Sequence, residues 1–220
     1  MEAHLVILVI SVGFAVGSIP FGAIIAKMSG FDLRKVGSGS PGAANAGRAF
    51  AERFGKTVGG LVFALVLLLD AGKGALPAFL AGNHNLALFG GFAAVLGHTF
   101  SPWLKFRGGK GVATTLGVVV ATQPPTVVAL ALGTFLFVLS LWGYVSLASV
   151  TAAAVLPAAV LAISTRQTDA LLFEIVFLLV MWAHRQNFGR LKAGSEARLR
   201  IHIIGGDHNS NSRFHRPPSE

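Results

Sequence analysis

The sequence predicts an all-α, polytopic membrane helical bundle of about seven transmembrane helices, and three observations predict it. Hydrophobic residues make up 53% of the 220-residue chain and charged residues only 12%, a balance outside that of soluble domains. The apolar residues gather into seven runs separated by short polar segments. The cations sit in alternate polar segments, where Lys and Arg act as topology determinants, so the net charge of +9 points to a membrane rather than to nucleic acid. With no cysteine in the chain, a disulfide framework and a thiol nucleophile are both excluded.

Leu5 to Ala26 forms the first run, interrupted by Gly17-Ser18-Ile19-Pro20. No cationic segment precedes it, so it is expected to be a retained span and not a cleaved leader. Lys27 to Lys56 is polar and reads as a membrane-surface loop. Thr57 to Leu80 is the second span and contains Asp70-Ala71-Gly72-Lys73-Gly74. After Asn83-His84-Asn85, Leu86 to Leu104 makes the third and delivers the chain to Lys105-Phe106-Arg107-Gly108-Gly109-Lys110-Gly111. Val112 to Ala121 is a short fourth, about ten residues where a vertical helix wants about twenty, so it reads as a short span or a re-entrant element. Gln123-Pro124-Pro125 ends it. The fifth runs from Thr126 to about Leu141, the sixth from Val145 to Ile163 and the seventh from Ala170 to Ala183. Residues 1–200 are expected to form one integral membrane domain, and residues 201–220 a hydrophilic tail that reads as disordered.

Charge orients these spans. The Lys27–Lys56 segment, the Gly-Gly-Lys loop and the tail together hold sixteen of the eighteen Lys and Arg; Lys73, inside a span, and Arg166 are the exceptions. The amino terminus is therefore expected outside and the carboxyl terminus in the cytoplasm.

Chemistry is suggested where the three cytoplasmic segments are set side by side. Around Lys110 three cations and three glycines lie between two apolar runs. Glycines let consecutive N–H groups turn toward one phosphate, to which Lys110 adds a full charge. By itself the stretch reads first as a tight turn between two spans with anchoring charges, and it is not a P-loop. Gly37 to Arg48 offers a hydroxyl, an amide and a guanidinium among glycines, or else is a flexible connector. His184 and Asn187 share a helix face at i, i+3, although a histidine at a helix end is also a common dipole partner. Asp70 and Lys73 lie within a span, where ionisable groups are costly; a structural pair beneath the site is expected, with catalysis by Asp70 the alternative. His202-Ile203-Ile204-Gly205-Gly206-Asp207 matches the His-x4-Asp pattern of a different acyltransferase superfamily, and its place in the tail marks it as chance.

Taken together and in order, these segments resemble the bacterial acyl-phosphate:glycerol-3-phosphate acyltransferases. The resemblance covers nearly the whole chain: Gly17-Ser18-Ile19-Pro20-Phe21-Gly22, Gly37 to Arg48, Asp70-x-x-Lys73-Gly74, Gly97-His98-x-Phe100, Phe106-x-Gly108-Gly109-Lys110-Gly111-Val112-Ala113-Thr114, Tyr144-Val145-Ser146, His184-Arg185-x-Asn187-x-x-Arg190 and Gly194-x-Glu196. Two positions depart from it, Ser40 where the family usually has Asn and Ala44 where it has Thr, so hydrogen bonds from those side chains do not carry over.

The resemblance implies transfer of a fatty acyl group from acyl phosphate to the 1-hydroxyl of glycerol 3-phosphate, giving lysophosphatidic acid and phosphate, at the cytoplasmic face of the inner membrane. It implies Ser38, Arg48, Lys110, His184 and Asn187 as catalytic residues, and Asn45, Gly108, Gly109, Gly111, Thr114 and Ser146 as substrate-binding. The amides of Gly108, Gly109 and Gly111 would join Lys110 as a phosphate clamp, and His184 or the leaving phosphate would take the hydroxyl proton. The expected partners are the two substrates and membrane lipid, with no metal, cofactor, nucleic acid or required protein. Two alternatives belong to other classes. A transporter of phosphate or an organic anion would suit a half-length fourth span, but no internal repeat relates the two halves. A non-catalytic scaffold would leave three co-occurring polar segments unexplained.

Overall fold

The computed structural model describes residues 3–199, so the His202–Asp207 match and the tail lie outside the described residues. Every regular element among them is helical. The first apolar run is two helices, α1 (Ala3–Gly17) and α2 (Phe21–Met28), separated where Pro20 lacks an N–H for the helical ladder. The carbonyls freed by this break find partners elsewhere in the bundle. Ser101 Oγ donates to Ser18 O at 2.6 Å and Lys73 Nζ to Ile19 O at 2.9 Å.

The Lys27–Lys56 segment is not the plain loop that its polarity suggests. After a 3-10 turn at Leu33–Lys35 it forms α3 (Ala43–Phe54). Ala43, Ala46, Ala49 and Phe50 fall at helical spacing and pack with Phe31, Val62 and Val66. Charged Arg48, Glu52 and Arg53 interrupt the linear sequence without entering that stripe, which is why a run-based reading misses the helix.

The helices α4 (Lys56–Leu80), α5 (His84–Thr99), α6 (Val112–Thr122), α7 (Pro125–Trp142), α8 (Val145–Ser164) and α9 (Gln167–Ala183) follow the apolar runs, with a 3-10 turn at Pro102–Leu104 between α5 and α6, and the polar α10 (Arg185–Lys192) lies beyond the last run. By length and composition α1–α2, α4, α7 and α8 can cross a membrane, and α9–α10, bent by 51°, makes a fifth if counted as one. The expected third and fourth spans are shorter, at 16 residues in α5 and 11 in α6. At 1.5 Å per residue α6 covers only about half a bilayer core.

Small residues hold α5 at the centre. A Cβ added to Gly13 or Gly17 of α1 would run into the backbone of Gly90 or Ala94, so the two helices meet backbone to backbone. On its other side Leu88 and Val95 pack with Val118, Val127, Leu156, Val160 and Phe173. Leu61, Leu68, Leu136, Phe137 and Leu171 point outward and exposed, as expected of faces that meet lipid.

Candidate active site

The N-terminus of α6 anchors the site. Gly111 caps the helix with φ of 78°, in the left-handed region where a side chain would be strained, and the first N–H groups of α6 have no partner within the helix. Lys110, Gly111, Val112 and Ala113 line one side of a cavity of about 160 Å³. The same cavity is lined by Ser38, Ser40, Arg48, Asp70, His98, Ser146, His184, Asn187 and Glu196. Residues as far apart in the chain as Ser38 and Glu196 thus share one space with a helix dipole that favours an anion.

Gly108 and Gly109 serve a different purpose from the expected clamp. Their amides are consumed, Gly108 N–H donating to Thr99 O and Gly109 N–H to His98 O, both at 3.0 Å. A Cβ at either position would collide with His98, against its carbonyl for Gly108 and its ring for Gly109. The pair lets the loop lie flat on the end of α5, and the anion-directed amides belong to the start of α6 instead. An adjoining cleft is lined by Gly108, Gly109, Arg107, Arg185 and Arg190, and it shares Ser38, Ser40, Lys110 and Asn187 with the inner cavity.

Asn45 also differs from expectation. Its Oδ1 accepts from the Ser38 N–H at 2.9 Å, and its Nδ2 donates to the carbonyls of Val36 and Ser40, both at 3.0 Å, with Leu33 O a longer third partner at 3.3 Å. A side-chain amide has two N–H donors, both engaged here by the loop's own carbonyls; Asn45 lines the cavity, but only the second lone pair of Oδ1 is left for a substrate. It folds the loop that presents Ser38. Thr114, expected to bind substrate, is fully buried against Gly74 of α4 and is absent from the cavity lining.

His184 sits at the α9–α10 bend, buried to 2% exposure, with Nδ1 2.8 Å from Val180 O. A carbonyl can only accept, so Nδ1 carries a proton, and in the neutral ring Nε2 is left as the acceptor. Asn187 donates through Nδ2 to Glu196 Oε1 at 2.6 Å, and Arg190 Nε meets Oε2 of the same carboxylate at 2.7 Å. Burial pushes the Glu196 carboxyl up, but the hydrogen bonds from Asn187 and Arg190 outweigh it and hold it below its ordinary range. Glu196 organises this corner. Its trace in the sequence is one acid within a strongly basic stretch.

Beneath the cavity, Lys73 Nζ lies 2.9 Å from Asp70 Oδ1, one turn away on α4, and His98 Nδ1 is 3.7 Å from the same oxygen. Asp70 and His98 reach the cavity lining while Lys73 turns to Ile19 O, as a supporting pair should. His98 was visible in the sequence only as part of the Gly97-His98-x-Phe100 segment. Lys110 itself is half-buried among charges. Burial lowers its ammonium to about 8, with Glu196 opposing the fall and Arg190 and Arg48 adding to it. A phosphate would supply the missing countercharge.

Known proteins resemble this chain over most of its length. The family described as glycerol-3-phosphate acyltransferase matches residues 7–194. A glycerol-3-phosphate acyltransferase of Geotalea daltonii is 41% identical over 187 residues, 83% of this chain and 92% of the relative. One from Aquifex aeolicus is 42% identical over 195 residues, 84% and 95% of the two chains. The crystal structure of PlsY (YgiH), an integral membrane glycerol 3-phosphate acyltransferase, in its glycerol 3-phosphate form superposes with a TM-score of 0.78 at 36% identity, covering 89% of this chain and 96% of that one. Its lysophosphatidic acid form gives 0.76 at 35% identity, over 89% and 95%.

Proposed function

The chain belongs to the glycerol-3-phosphate acyltransferase family, and from that premise we propose how its site divides the work of acylating glycerol 3-phosphate. The observation that carries the reading is the meeting of Lys110, the α6 N-terminus, Ser38, Arg48 and the acceptor nitrogen of His184 in one cavity. The donor is acyl phosphate. Lys110, Gly111 and the first amides of α6 hold its phosphate, and Phe63, Leu67, Phe135 and Val145 give the same cavity an apolar side for the start of the acyl chain. Glycerol 3-phosphate lies toward the adjoining cleft, its phosphate met by Arg48, Arg185 and Arg190.

The 1-hydroxyl attacks the acyl carbonyl, the bond to phosphate oxygen breaks, and phosphate departs with the electron pair. The hydroxyl proton passes to Nε2 of His184 and then to the departing phosphate, leaving the enzyme unchanged. Ser38 and Asn187 orient the acceptor. No metal or cofactor has a part in this scheme, since acyl phosphate is already activated and the cations need only align and neutralise.

The fold within the membrane completes the proposal. Seven segments cross or enter the bilayer, with the amino terminus outside and the site at the cytoplasmic face of the bacterial inner membrane. The 16-to-2 partition of Lys and Arg supports that orientation. A transporter is not favoured, because the relatives are acyltransferases.

The decisive assay uses purified protein with glycerol 3-phosphate and one acyl donor at a time. Acyl phosphate should give lysophosphatidic acid and inorganic phosphate in equal amounts. Equal turnover with acyl-CoA or acyl carrier protein would overturn the donor assignment.

A further inference from the structure

We propose that a second anion site, for the phosphate-bearing headgroup of a bilayer phospholipid, lies in the cleft between α2 and the Pro102–Leu104 turn. The cleft has a volume of about 490 Å³ and shares no lining residue with the active-site cavity or the adjoining cleft. Lys27, Arg34 and Asp32 are its charged groups. Asp32 holds Arg34 in a fork, Nε to Oδ1 at 3.0 Å and Nη2 to Oδ2 at 2.8 Å, which neutralises one charge and leaves Nη1 uncommitted. Lys27 has no ion pair among the described residues, so the cleft carries one surplus positive charge.

The rest of the lining is apolar and sits where the first span ends. Ile24, Phe31, Trp103 and Leu104 face the space beside Lys27. Trp103 is 72% exposed, yet its ring is fixed, because the indole N–H donates to Ser18 Oγ at 3.1 Å. An exposed tryptophan beside cations at the end of a span is the pattern of a membrane–water interface. Free phosphate would leave the apolar half unmatched, and one surplus charge in water holds a small anion poorly. A phospholipid satisfies both halves, its headgroup on Lys27 and the start of its chains on Ile24 and Trp103.

Occupancy would reach the active site through the chain. From Trp103 and Leu104 the backbone passes through Lys105 and Phe106, with φ of 54° and 61°, a left-handed pair that neighbouring contacts must hold in place, and on to Gly108–Lys110. A lipid bracing the Pro102–Leu104 turn braces that loop as well.

The test uses the full chain with Trp142 and Trp182 replaced by Phe, so that Trp103 is the sole tryptophan. Its fluorescence is read in nanodiscs containing graded fractions of phosphatidylglycerol or phosphatidylcholine brominated near the top of the chains. Phosphatidylglycerol should quench at several-fold lower mole fraction, Lys27→Gln should bring the two curves together, and Lys35→Gln, outside the cleft, should leave them apart. Coincident curves in the parent, or a preference that survives Lys27→Gln, would overturn the site. If inorganic phosphate at millimolar concentration displaces the phosphatidylglycerol curve, the ligand is free phosphate and the lipid assignment fails. Should the tryptophan replacements prevent folding, native mass spectrometry of the unaltered chain and Lys27→Gln, comparing retained phosphatidylglycerol with phosphatidylcholine, reads the same preference.

Discussion

Gly109 and His98 occupy a space that admits only one side chain. The Gly109 N–H donates to the His98 carbonyl at 3.0 Å, and a Cβ on Gly109 would strike the imidazole at Nε2 and stand 2.7 Å from Cε1. Because His98 in turn lies 3.7 Å from Asp70 under the cavity, the loop that ends in Lys110 is seated on the charged pair below it. Gly109→Ala should therefore displace either the ring or the loop, and turnover should fall at least about ten-fold in protein that still inserts, since an ångström of misplacement is enough for such losses. Gly60→Ala is the control, because a Cβ there meets nothing within 4 Å and alanine suits a helix better by roughly 0.5–1 kcal/mol. Steady-state rates normalised to folded protein distinguish the two. A fully active Gly109→Ala enzyme would mean that His98 can move without consequence.

The Asp70–Lys73 pair gives a prediction about stability. Both side chains are almost wholly buried, and each is the other's main countercharge. Removing one partner leaves a buried charge, a loss of about 3–5 kcal/mol for pairs of this kind, whereas removing both is often close to neutral. Lys73→Met and Asp70→Asn should each lower the unfolding temperature in detergent markedly, and the double variant should be more stable than the sum of the singles predicts. Additive losses would indicate that the two residues act independently.

The opposite end of the bundle holds a separate latch. Asp169, fully buried at the start of α9, accepts from Gln123 Nε2 at 3.1 Å and lies 2.7 Å from His84 Nε2, while Gln123 Oε1 accepts from Ser164 at 3.2 Å. These contacts tie together the ends of α5, α6, α8 and α9, and none of the four residues lines the active-site cavity. Asp169→Leu strands the buried Gln123 donor and removes the partner of half-exposed His84, at about 1–3 kcal/mol for a buried unsatisfied group. The unfolding temperature should drop while kcat of the folded fraction stays within about two-fold. An unchanged melt with lost activity would reverse that assignment.

Hydrophobic runs made the helices legible because each span is long, apolar and punctuated by Gly, Pro or charge. They concealed α3, whose burial rests on alanines at helical spacing inside a polar stretch, and polar α10, which lies beyond the last run. At the site, Ser38, Arg48, Lys110, His184 and Asn187 do converge on one cavity. What sequence alone misjudged were groups whose valence is spent locally. Asn45 lines the cavity but spends both its N–H donors on the carbonyls of its own loop, and Gly108 and Gly109 look like a nest until their amides are traced to Thr99 and His98. Glu196 was undervalued because its role comes from the turn after α10 that brings it onto Asn187 and Arg190.

Lys110 carries the last prediction, because its two readings diverge in both substitution and pH. As a mere topology anchor it could be exchanged for arginine without loss. As a clamp it is a compact ammonium half-buried beside Gly111, where a broad planar guanidinium does not fit. Losing a contact made as phosphate departs costs about 2.7–4 kcal/mol, or roughly a hundred- to thousand-fold in turnover. Lys110→Ala and Lys110→Arg should both fold and lose most activity, with Lys105→Ala mild. The pH profile sharpens the test. Burial has lowered the Lys110 ammonium to about 8 in the free protein, so kcat/KM for wild type should decline as pH rises through that value. Unfolding cannot be the cause for this group: between about 8 and the unfolded value of roughly 10.4 the unfolded chain binds more protons, so its contribution to stability rises with pH while activity falls. At saturation the bound phosphate supplies a countercharge, so the decline in kcat should shift to higher pH. In Lys110→Arg, charged throughout the range, the limb near pH 8 should vanish from whatever activity remains. An Lys110→Arg enzyme within a few-fold of wild type, or one that keeps the same alkaline limb, would remove Lys110 from the clamp.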